Sequence, residues 1–370
     1  MKIALVHDYL TQKGGAERVF ELLCHHFPEA DIYTSLYDPQ ATIELRDRIV
    51  NTTQLQRIPG AARHFRMFAP LYFPAFRLLN LESYDLILSS TTSFAKSVRK
   101  SKHAKHVCFC HNVTRFLWDT ETYLQGFERY QAFHPLLEVV FRQLRQVDLK
   151  YAQEPDFYIA NSSVVADRIR HHYGRPATVI NYPIDESQFS FSNQKDDYYL
   201  VSSRFLSYKR IDIIIEAFNV LGWPLMIIGD GPERKRLQAM AHSNVTFLGH
   251  VHDERRRQLM GKAKMVIVAA LEDYGLVPIE SNISGTPVIA YGAGGVLDTQ
   301  RPGVTGLFFE EQTPEALISA LLEARQMKWN YEVIHDYAKE RFTKRTFFKE
   351  VDIFLENSLP TMVGNELAST

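Results

Sequence analysis

The sequence has 370 residues, of which 45% are hydrophobic and 23% charged, and its 42 basic and 43 acidic side chains nearly cancel. This composition excludes disordered and collagen-like chains, and the charge balance gives no global field that would attract nucleic acid. Three cysteines are too few for a disulfide scaffold and are typical of a reducing compartment.

Short apolar runs alternate with segments of helical period, which is the pattern of parallel strands joined by helices. The first half contains five such runs: "KIALVHD", "DIYTSLY", "YDLILSS", "HVCFCHN" and "FYIANSS". The second half contains six: "YYLVSSR", "LMIIGDG", "VTFLGHV", "MVIVAAL", "PVIAYGA" and "GLFFE". The alternation predicts an α/β protein with two domains, each built on a parallel sheet.

The domain boundary is predicted where a strand-like run gives way to a proline and a polar stretch without helical period. The predicted domains are residues 1–185 and 186–342, and a final helical segment, 343–370, is predicted to pack back on the first domain. The first apolar run stops at His7, which fits a strand better than a signal peptide, and no run is long enough to span a membrane. These features predict a cytoplasmic protein.

Candidate site residues lie just after the predicted strands, where open α/β sheets bind their ligands. Gly14 and Gly15 follow the first strand and open a helix, so bare backbone can approach a diphosphate or an acceptor. Their spacing is not the G-x-G-x-x-G fingerprint, which argues against a nicotinamide dehydrogenase. In the second half, Gly229, Asp230 and Gly231 form a turn that permits close ligand approach.

Two basic residues follow the first strand of the second domain. Arg204 lies at the strand end and Lys209 lies just before the next helix. Arginine grips phosphate through two N–H groups and lysine adds a compact charge, so the pair suits a diphosphate leaving group.

The stretch "LEDYGLVPIE" places Glu272 at the end of a buried strand and Glu280 in the helix that follows. The free amides of a helix start bind phosphate oxygens. The residues assigned to that start are Tyr274, Gly275, Leu276 and Val277. A carboxylate at each end of a phosphate site fits a nucleotide sugar, whose hexose and ribose flank a diphosphate. The alternative is that the two glutamates are a helix cap and a solvated helix residue.

The chain resembles the family 4 glycosyltransferases of GT-B architecture, in which two facing Rossmann-like domains enclose an interdomain cleft. The resemblance covers nearly the whole chain through "GGAERV", "H…R…WD", "IANS", "SRFLSYKR", "GDGPE", "EDYGLVPIE" and "GTPVIAYGAGG". It implies retaining transfer of a hexose from a nucleotide-sugar donor. The "H…R…WD" stretch resembles mannosyltransferases of bacterial surface polysaccharide and lipopolysaccharide synthesis, which implies GDP-mannose and a lipid-linked saccharide acceptor.

The resemblance also implies residue roles. Glu272 would lie at the donor sugar, Glu280 would bind the ribose, and Arg204 with Lys209 would hold the diphosphate. His111 would contact the transferred sugar near its reacting carbon. Fixed cations would replace a metal, so no metal or other cofactor is expected.

Other readings stay open on the sequence alone. A nucleotide-sugar epimerase can share this architecture, and the donor of a transferase can carry UDP instead of GDP. Cys108, Cys110 and His111 suggest zinc, but positions 108 and 110 share a strand face from which position 111 points away, so no zinc site is predicted.

Residues 57–105 contain nine Lys and Arg against two acidic residues, interleaved with aromatic side chains. Such a patch predicts peripheral contact with anionic lipid on the inner face of a membrane. The alternative is a solvated face beside a core helix.

Overall fold

A computed structural model describes residues 1–45, 48–119 and 134–359. The strands of the first sheet are β1 (Ile3–His7), β2 (Asp31–Thr34), β3 (Val50–Thr52), β4 (Leu86–Thr91), β5 (Lys105–Cys110), β6 (Phe157–Ala160) and β7 (Thr178–Val179). Those of the second sheet are β8 (Tyr199–Ser202), β9 (Leu225–Ile228), β10 (Val245–Gly249), β11 (Val266–Val268), β12 (Val288–Tyr291) and β13 (Gly306–Phe309).

Helices connect the strands in chain order. In the first half they are α1 (Gly15–His26), α2 (Ala69–Arg77), α3 (Arg115–Trp118), α4 (His134–Tyr151) and α5 (Ser163–Tyr173). In the second half they are α6 (Ile211–Leu221), α7 (Arg234–Met240), α8 (Asp253–Lys262), α9 (Leu276–Ile283), α10 (Val296–Thr299), α11 (Pro314–Gln326), α12 (Tyr331–Arg341) and α13 (Lys344–Ser358). No helix within the described ranges is long and apolar enough to cross a bilayer.

The chain divides into two compact units. The first comprises Met1–Asn181 and Glu350–Thr370, and the second comprises Tyr182–Lys349. The last helix, α13, therefore contributes residues to both units. In its second half, Asp352 lies 2.8 Å from His26 Nε2, and the Phe354 ring lies 6.0 Å from the Phe157 ring.

Both sheets are parallel and follow the Rossmann strand order. The first runs β3-β2-β1-β4-β5-β6-β7, and the second runs β10-β9-β8-β11-β12-β13. In each sheet the order reverses once, between β1 and β4 or between β8 and β11. Ligands of such sheets bind outside the carboxyl ends of the strands at this reversal. The predicted α/β class and Rossmann-like domains are confirmed.

The strands consist largely of buried aliphatic residues because helices cover both faces of each sheet. All four residues of β9 are apolar, for example, and Ile227 is fully buried in the core of the second unit. Each of the eleven predicted strands is present. Two short strands, β3 and β7, were not predicted, and their side chains are half-buried or exposed.

Candidate active site

In the second unit, two oppositely charged side chains meet at the carboxyl ends of neighbouring strands. Lys209 ends a single 3-10 turn after β8, and Glu272 follows β11, which pairs with β8. The Lys209 Nζ donates a hydrogen bond of 2.6 Å to Glu272 Oε1, and both side chains are mostly buried. The sequence analysis assigned these residues to different parts of one ligand, whereas the structure places them in direct contact.

Arg204 lies on the same segment as Lys209 but is exposed. Its Nη2 lies 3.4 Å from the Tyr208 hydroxyl, and the Tyr208 ring in turn lies 5.0 Å from Lys209 Nζ. Two cations therefore flank one aromatic ring, close to the Glu272 carboxylate. The segment after β8 therefore presents one exposed guanidinium and one lysine that is already ion-paired.

The glycine turn after β9 fixes the backbone that carries Arg204. Gly229 has a φ of +134°, and an added Cβ would overlap the carbonyl oxygen of Ser203. The Phe205 amide donates to the Asp230 carbonyl at 2.8 Å, and Gly231 also packs against the Phe205 backbone. This turn was predicted to permit close approach of a ligand. Its glycines have a role within the protein itself, because only glycine permits such a close approach between two backbone segments.

A second glycine contact fixes the backbone of Glu272. The Gly295 amide, just after β12, donates to the Glu272 carbonyl at 2.7 Å. A side chain at Gly295 would overlap the Asp273 carbonyl, and Gly294 forms a bridge with Glu272. Both charged segments of the site are therefore held by backbone packing.

Helix α9 begins where the spacing predicts, with Gly275 as its N-cap and Leu276 and Val277 in its first turn. The amides of these residues lie in the part of a helix that lacks intrahelical partners. Tyr274 is buried, and its hydroxyl donates to the Tyr182 carbonyl at 2.6 Å. Its phenol therefore anchors the loop within the protein.

The partner of Glu280 could not be predicted from the sequence. Arg256 in α8 donates to both carboxylate oxygens of Glu280, at 2.6 and 3.2 Å. Arg256 is the middle residue of the run "RRR". It is distinguished from its two neighbours by its contact with Glu280 in α9.

In the first unit, Asp8 occupies the strand reversal between β1 and β4. Its carboxylate accepts hydrogen bonds from the four backbone amides of residues 92–95, at 2.6 to 2.9 Å, and from two threonine hydroxyls. Converging amides of this kind form an anion site. In this protein the Asp8 carboxylate occupies that anion site.

His111 is buried beside this turn, at the end of β5. Its Nε2 is hydrogen-bonded to the Ser90 hydroxyl at 2.7 Å, and Ser90 is also hydrogen-bonded to His7 Nδ1 at 3.1 Å. His7 Nε2 lies 3.9 Å from Glu17, whose other oxygen accepts the Gly14 amide at 2.9 Å. The Gly14 amide is therefore already used as a helix cap, although the sequence analysis assigned it to ligand approach. Gly15 is the first residue of α1.

A buried ion pair supports the loop that follows His111. Lys96 is 1% exposed, and its Nζ lies 2.6 Å from Asp148, which is fully buried. Asp148 also accepts hydrogen bonds from Thr114, Trp118 and Tyr173, at 2.7 to 2.9 Å. Removing one partner of such a pair is strongly destabilising.

The ion pair between Lys96 and Asp148 removes Lys96 from the predicted basic patch. Lys96 was counted among the surface charges of residues 57–105, but it lies in the core because a distant aspartate neutralises it. Arg77 and Lys100 of the same patch are paired with Glu154 and Asp156.

Two buried histidines make the first unit sensitive to acid. Burial lowers the pKa of His106 and of His111 from 6.5 to about 3. Unfolded histidines bind a proton below pH 6.5 and folded ones do not until about pH 3, so the free energy of unfolding falls as the pH drops through this window. The slope is at most about 1.4 kcal/mol per pH unit for each histidine.

We expect the urea midpoint to fall between pH 7 and pH 5, and to fall less in His106→Gln, which keeps a hydrogen-bonding group towards Ser89. The exposed His103→Gln is the control and should retain the wild-type pH dependence. Equal pH dependence in all three proteins would contradict the assignment to His106.

Two protein-family models match the chain. The model described as Glycosyltransferase Family 4 matches residues 13–188, and the model described as Glycosyl transferases group 1 matches residues 184–341. Together they span the candidate residues of both units. The chain belongs to the glycosyltransferases that combine these two domains, which confirms the predicted resemblance.

Known relatives include the O-antigen chain mannosyltransferase C of Escherichia coli, which is 25% identical over 217 residues, 54% of this chain and 55% of that protein. The chain spans about half the length of the first curated relatives it matches.

Two solved structures show the fold. The lipopolysaccharide outer core galactosyltransferase WaaB has a TM-score of 0.69 at 16% identity, covering 97% of this chain and 100% of that chain. Anabaena HepE, solved with UDP and glucose, has a TM-score of 0.66 at 19% identity, covering 96% and 99%. The fold is that of the GT-B glycosyltransferases.

Proposed function

We propose that the protein transfers a hexose, with retention, from a nucleoside diphosphate sugar to a saccharide acceptor in cell-surface polysaccharide synthesis. The contact between Lys209 and Glu272 carries this proposal. The pair joins a cation to a carboxylate four residues before the start of α9, a combination that suits a sugar linked to a diphosphate.

The proposed chemistry exchanges one bond at the anomeric carbon. The bond from that carbon to the β-phosphate oxygen breaks, and the acceptor oxygen bonds to the carbon on the same face. The acceptor proton passes to the departing phosphate oxygen. Lys209, Arg204 and the α9 amides stabilise the charge that develops on the diphosphate. We propose that these fixed groups serve in place of a metal ion.

His111 is proposed to contact the transferred sugar as a neutral imidazole. Burial lowers its pKa to about 3, so the ring carries no charge at neutral pH. A neutral ring can donate a hydrogen bond to a sugar hydroxyl or accept one from it. Gly15 is proposed to lie near the acceptor.

The first donor to test is GDP-mannose, because the Escherichia coli relative is named a mannosyltransferase. A UDP-sugar is the second candidate, because the Anabaena structure contains UDP. A nucleotide-sugar epimerase is the third, and activity without an acceptor would reveal it.

Nucleotide binding tests the donor class. We expect GDP, among GDP, UDP, ADP, dTDP and NAD, to stabilise the purified protein against thermal unfolding, with and without Mg²⁺. A ligand at about 100 times its Kd adds roughly 2.7 kcal/mol to the free energy of unfolding. The Lys209→Ala variant should bind more weakly and serves as the site control.

Stabilisation by UDP or dTDP alone would exclude GDP-mannose but retain the transferase. A response only to NAD, or to no nucleotide, would contradict the proposal.

We also propose that the acceptor is lipid-linked and that the protein meets the membrane through residues 57–78. Met67, Leu71 and Leu78 are exposed on this segment, at 79%, 46% and 71%. Three arginines, Arg57, Arg63 and Arg66, are exposed among them, and the segment contains no acidic residue. Apolar tips surrounded by cations match the surface of an anionic bilayer.

The inner face of this segment packs over the strand reversal of the first sheet. The Phe65 ring lies 4.6 Å from Tyr9, which follows β1, and the Tyr72 ring lies 4.8 Å from Phe94, which follows β4. A bilayer at residues 57–78 would therefore lie close to the edge that we assign to the acceptor.

The double variant Arg63→Glu/Arg66→Glu should lose binding to phosphatidylglycerol-containing vesicles in a sedimentation assay. Each basic residue near the surface contributes about 1 kcal/mol, so losing two weakens binding at least about 30-fold, and the added carboxylates repel anionic lipid further. The exposed pair Lys328→Glu/Lys349→Glu makes the same charge change in the second unit and should bind as the wild type does. Equal loss in both variants would show that only net charge matters.

A further inference from the structure

Arg256 and Glu280 form a two-point ion pair between α8 and α9. Nη1 lies 2.6 Å from Oε2 and Nη2 lies 3.2 Å from Oε1, and the two side chains are only 15% and 10% exposed. On the other side of the guanidinium, Nε lies 3.6 Å from Asp253. The guanidinium is thus held from two directions.

This geometry fixes the plane of the Glu280 carboxylate. An ionised carboxylate has about four acceptor sites, two on each oxygen, and a forked guanidinium uses one on each oxygen. One acceptor site on each oxygen remains. These two sites lie on opposite sides of the carboxylate and point away from the guanidinium, so each oxygen keeps one acceptor of fixed direction for a ribose hydroxyl.

The pair also removes an electrostatic obstacle. Glu280 lies in the second turn of α9, the helix whose first turn is proposed to bind a diphosphate. An unpaired carboxylate there would repel that anion. Arg256 cancels its charge and leaves its acceptor oxygens in place.

We propose that Arg256 is a positioning residue that makes Glu280 a rigid acceptor for one hydroxyl, 2′ or 3′, of the ribose of the donor nucleotide. It thereby sets the preference of the site for the ribonucleotide over the deoxy analogue that lacks this hydroxyl. This inference rests on the proposed function, because it assumes that a nucleoside diphosphate occupies the α9 site.

The test compares GDP with 2′-deoxy-GDP and 3′-deoxy-GDP by calorimetry, or the corresponding analogues of UDP if UDP is the nucleotide that binds. Losing one hydrogen bond to a charged acceptor should weaken binding to the wild type about 10- to 100-fold. In Arg256→Met the ribo-to-deoxy ratio should fall to about threefold or less. Arg256→Lys, which keeps the charge but not the fork, should give an intermediate ratio.

Kinetics separate positioning from general damage. In Arg256→Met the donor KM should rise about as much as the nucleotide Kd, while kcat at saturating donor stays within about threefold, because the ribose is remote from the reacting carbon. Glu280→Gln should lose the same discrimination, and the double variant should lose no more. Arg255→Met, the exposed neighbour, is the matched control and should keep both affinity and ratio.

A wild-type ribo-to-deoxy ratio in folded Arg256→Met would overturn the inference. If that variant does not fold, an unchanged ratio in Glu280→Gln or Arg256→Lys would do the same. A wild type that binds the nucleotide without discrimination would also overturn the inference and leave the proposed function in place. A wild type that binds no nucleotide would contradict the proposed function itself.

Discussion

Replacing Lys209 with alanine is expected to lower kcat for glycosyl transfer about 100- to 1000-fold and to leave the fold intact. This range is typical when one preorganised group that stabilises developing charge is removed. The variant loses the cation proposed to stabilise the leaving diphosphate, and it leaves Glu272 without its 2.6 Å partner. Glu272→Ala is expected to lower kcat at least as much, because the surviving lysine no longer has a fixed position.

The measurement is transfer of labelled hexose at saturating donor, with circular dichroism to verify the fold. Lys235→Ala removes an exposed lysine of the same unit and should retain wild-type turnover. Lys209→Arg keeps the charge and should recover part of the rate. Near-normal turnover in Lys209→Ala or Glu272→Ala would remove both residues from the site.

Gly229→Ala is expected to destabilise the second unit by about 2–6 kcal/mol. The new Cβ would overlap the Ser203 carbonyl oxygen, and the backbone would keep a φ of +134° that alanine rarely adopts. Overpacking costs about 1–3 kcal/mol and backbone strain of this kind costs a similar amount. Relief of the overlap would move the segment that carries Arg204, so transfer should also fall.

Gly222→Ala separates these two contributions. Gly222 has a φ of +68°, but no atom lies within 4 Å of an added Cβ, so only backbone strain of about 1–2 kcal/mol is expected. Urea unfolding followed by tryptophan fluorescence gives the comparison, since Trp223 and Trp329 lie in the second unit. Equal destabilisation by the two substitutions would show that the close approach to Ser203 has no cost.

The fold could be predicted from the sequence because buried parallel strands are continuous apolar runs. "MVIVAAL" and "LMIIGDG" mark β11 and β9 without further information. The strand β3, "VNT", has no such run because it lies at a sheet edge, and the two-residue β7 has no apolar period that could be detected.

The candidate site residues were predicted from their places in the segments that follow predicted strands. Glu272, Glu280 and Lys209 were chosen in this way, but their partners could not be predicted because the contacts depend on packing. The contact between Arg256 and Glu280 joins two helices, and nothing in "ERRRQ" distinguishes its middle arginine.

The burial of a charged side chain could not be predicted from the sequence either. Lys96 lies in a basic run, and its partner Asp148 is in a helix beyond the next strand. The same limit applies to Asp8, whose six donors come from the last residue of a different strand, β4, and from the turn after it.

The division of α13 between the units has a consequence for synthesis on the ribosome. Domains usually fold as they emerge, at about 5–20 residues per second, with the N-terminal domain first. Here Asp352 and Phe354, which contact His26 and Phe157, are made only after the whole second unit, roughly 10 to 30 s after Asn181 at that rate. The first unit is therefore incomplete when it emerges, and its last residues are added only after the second unit has been made. A chain truncated before residue 350 would lack part of its N-terminal domain.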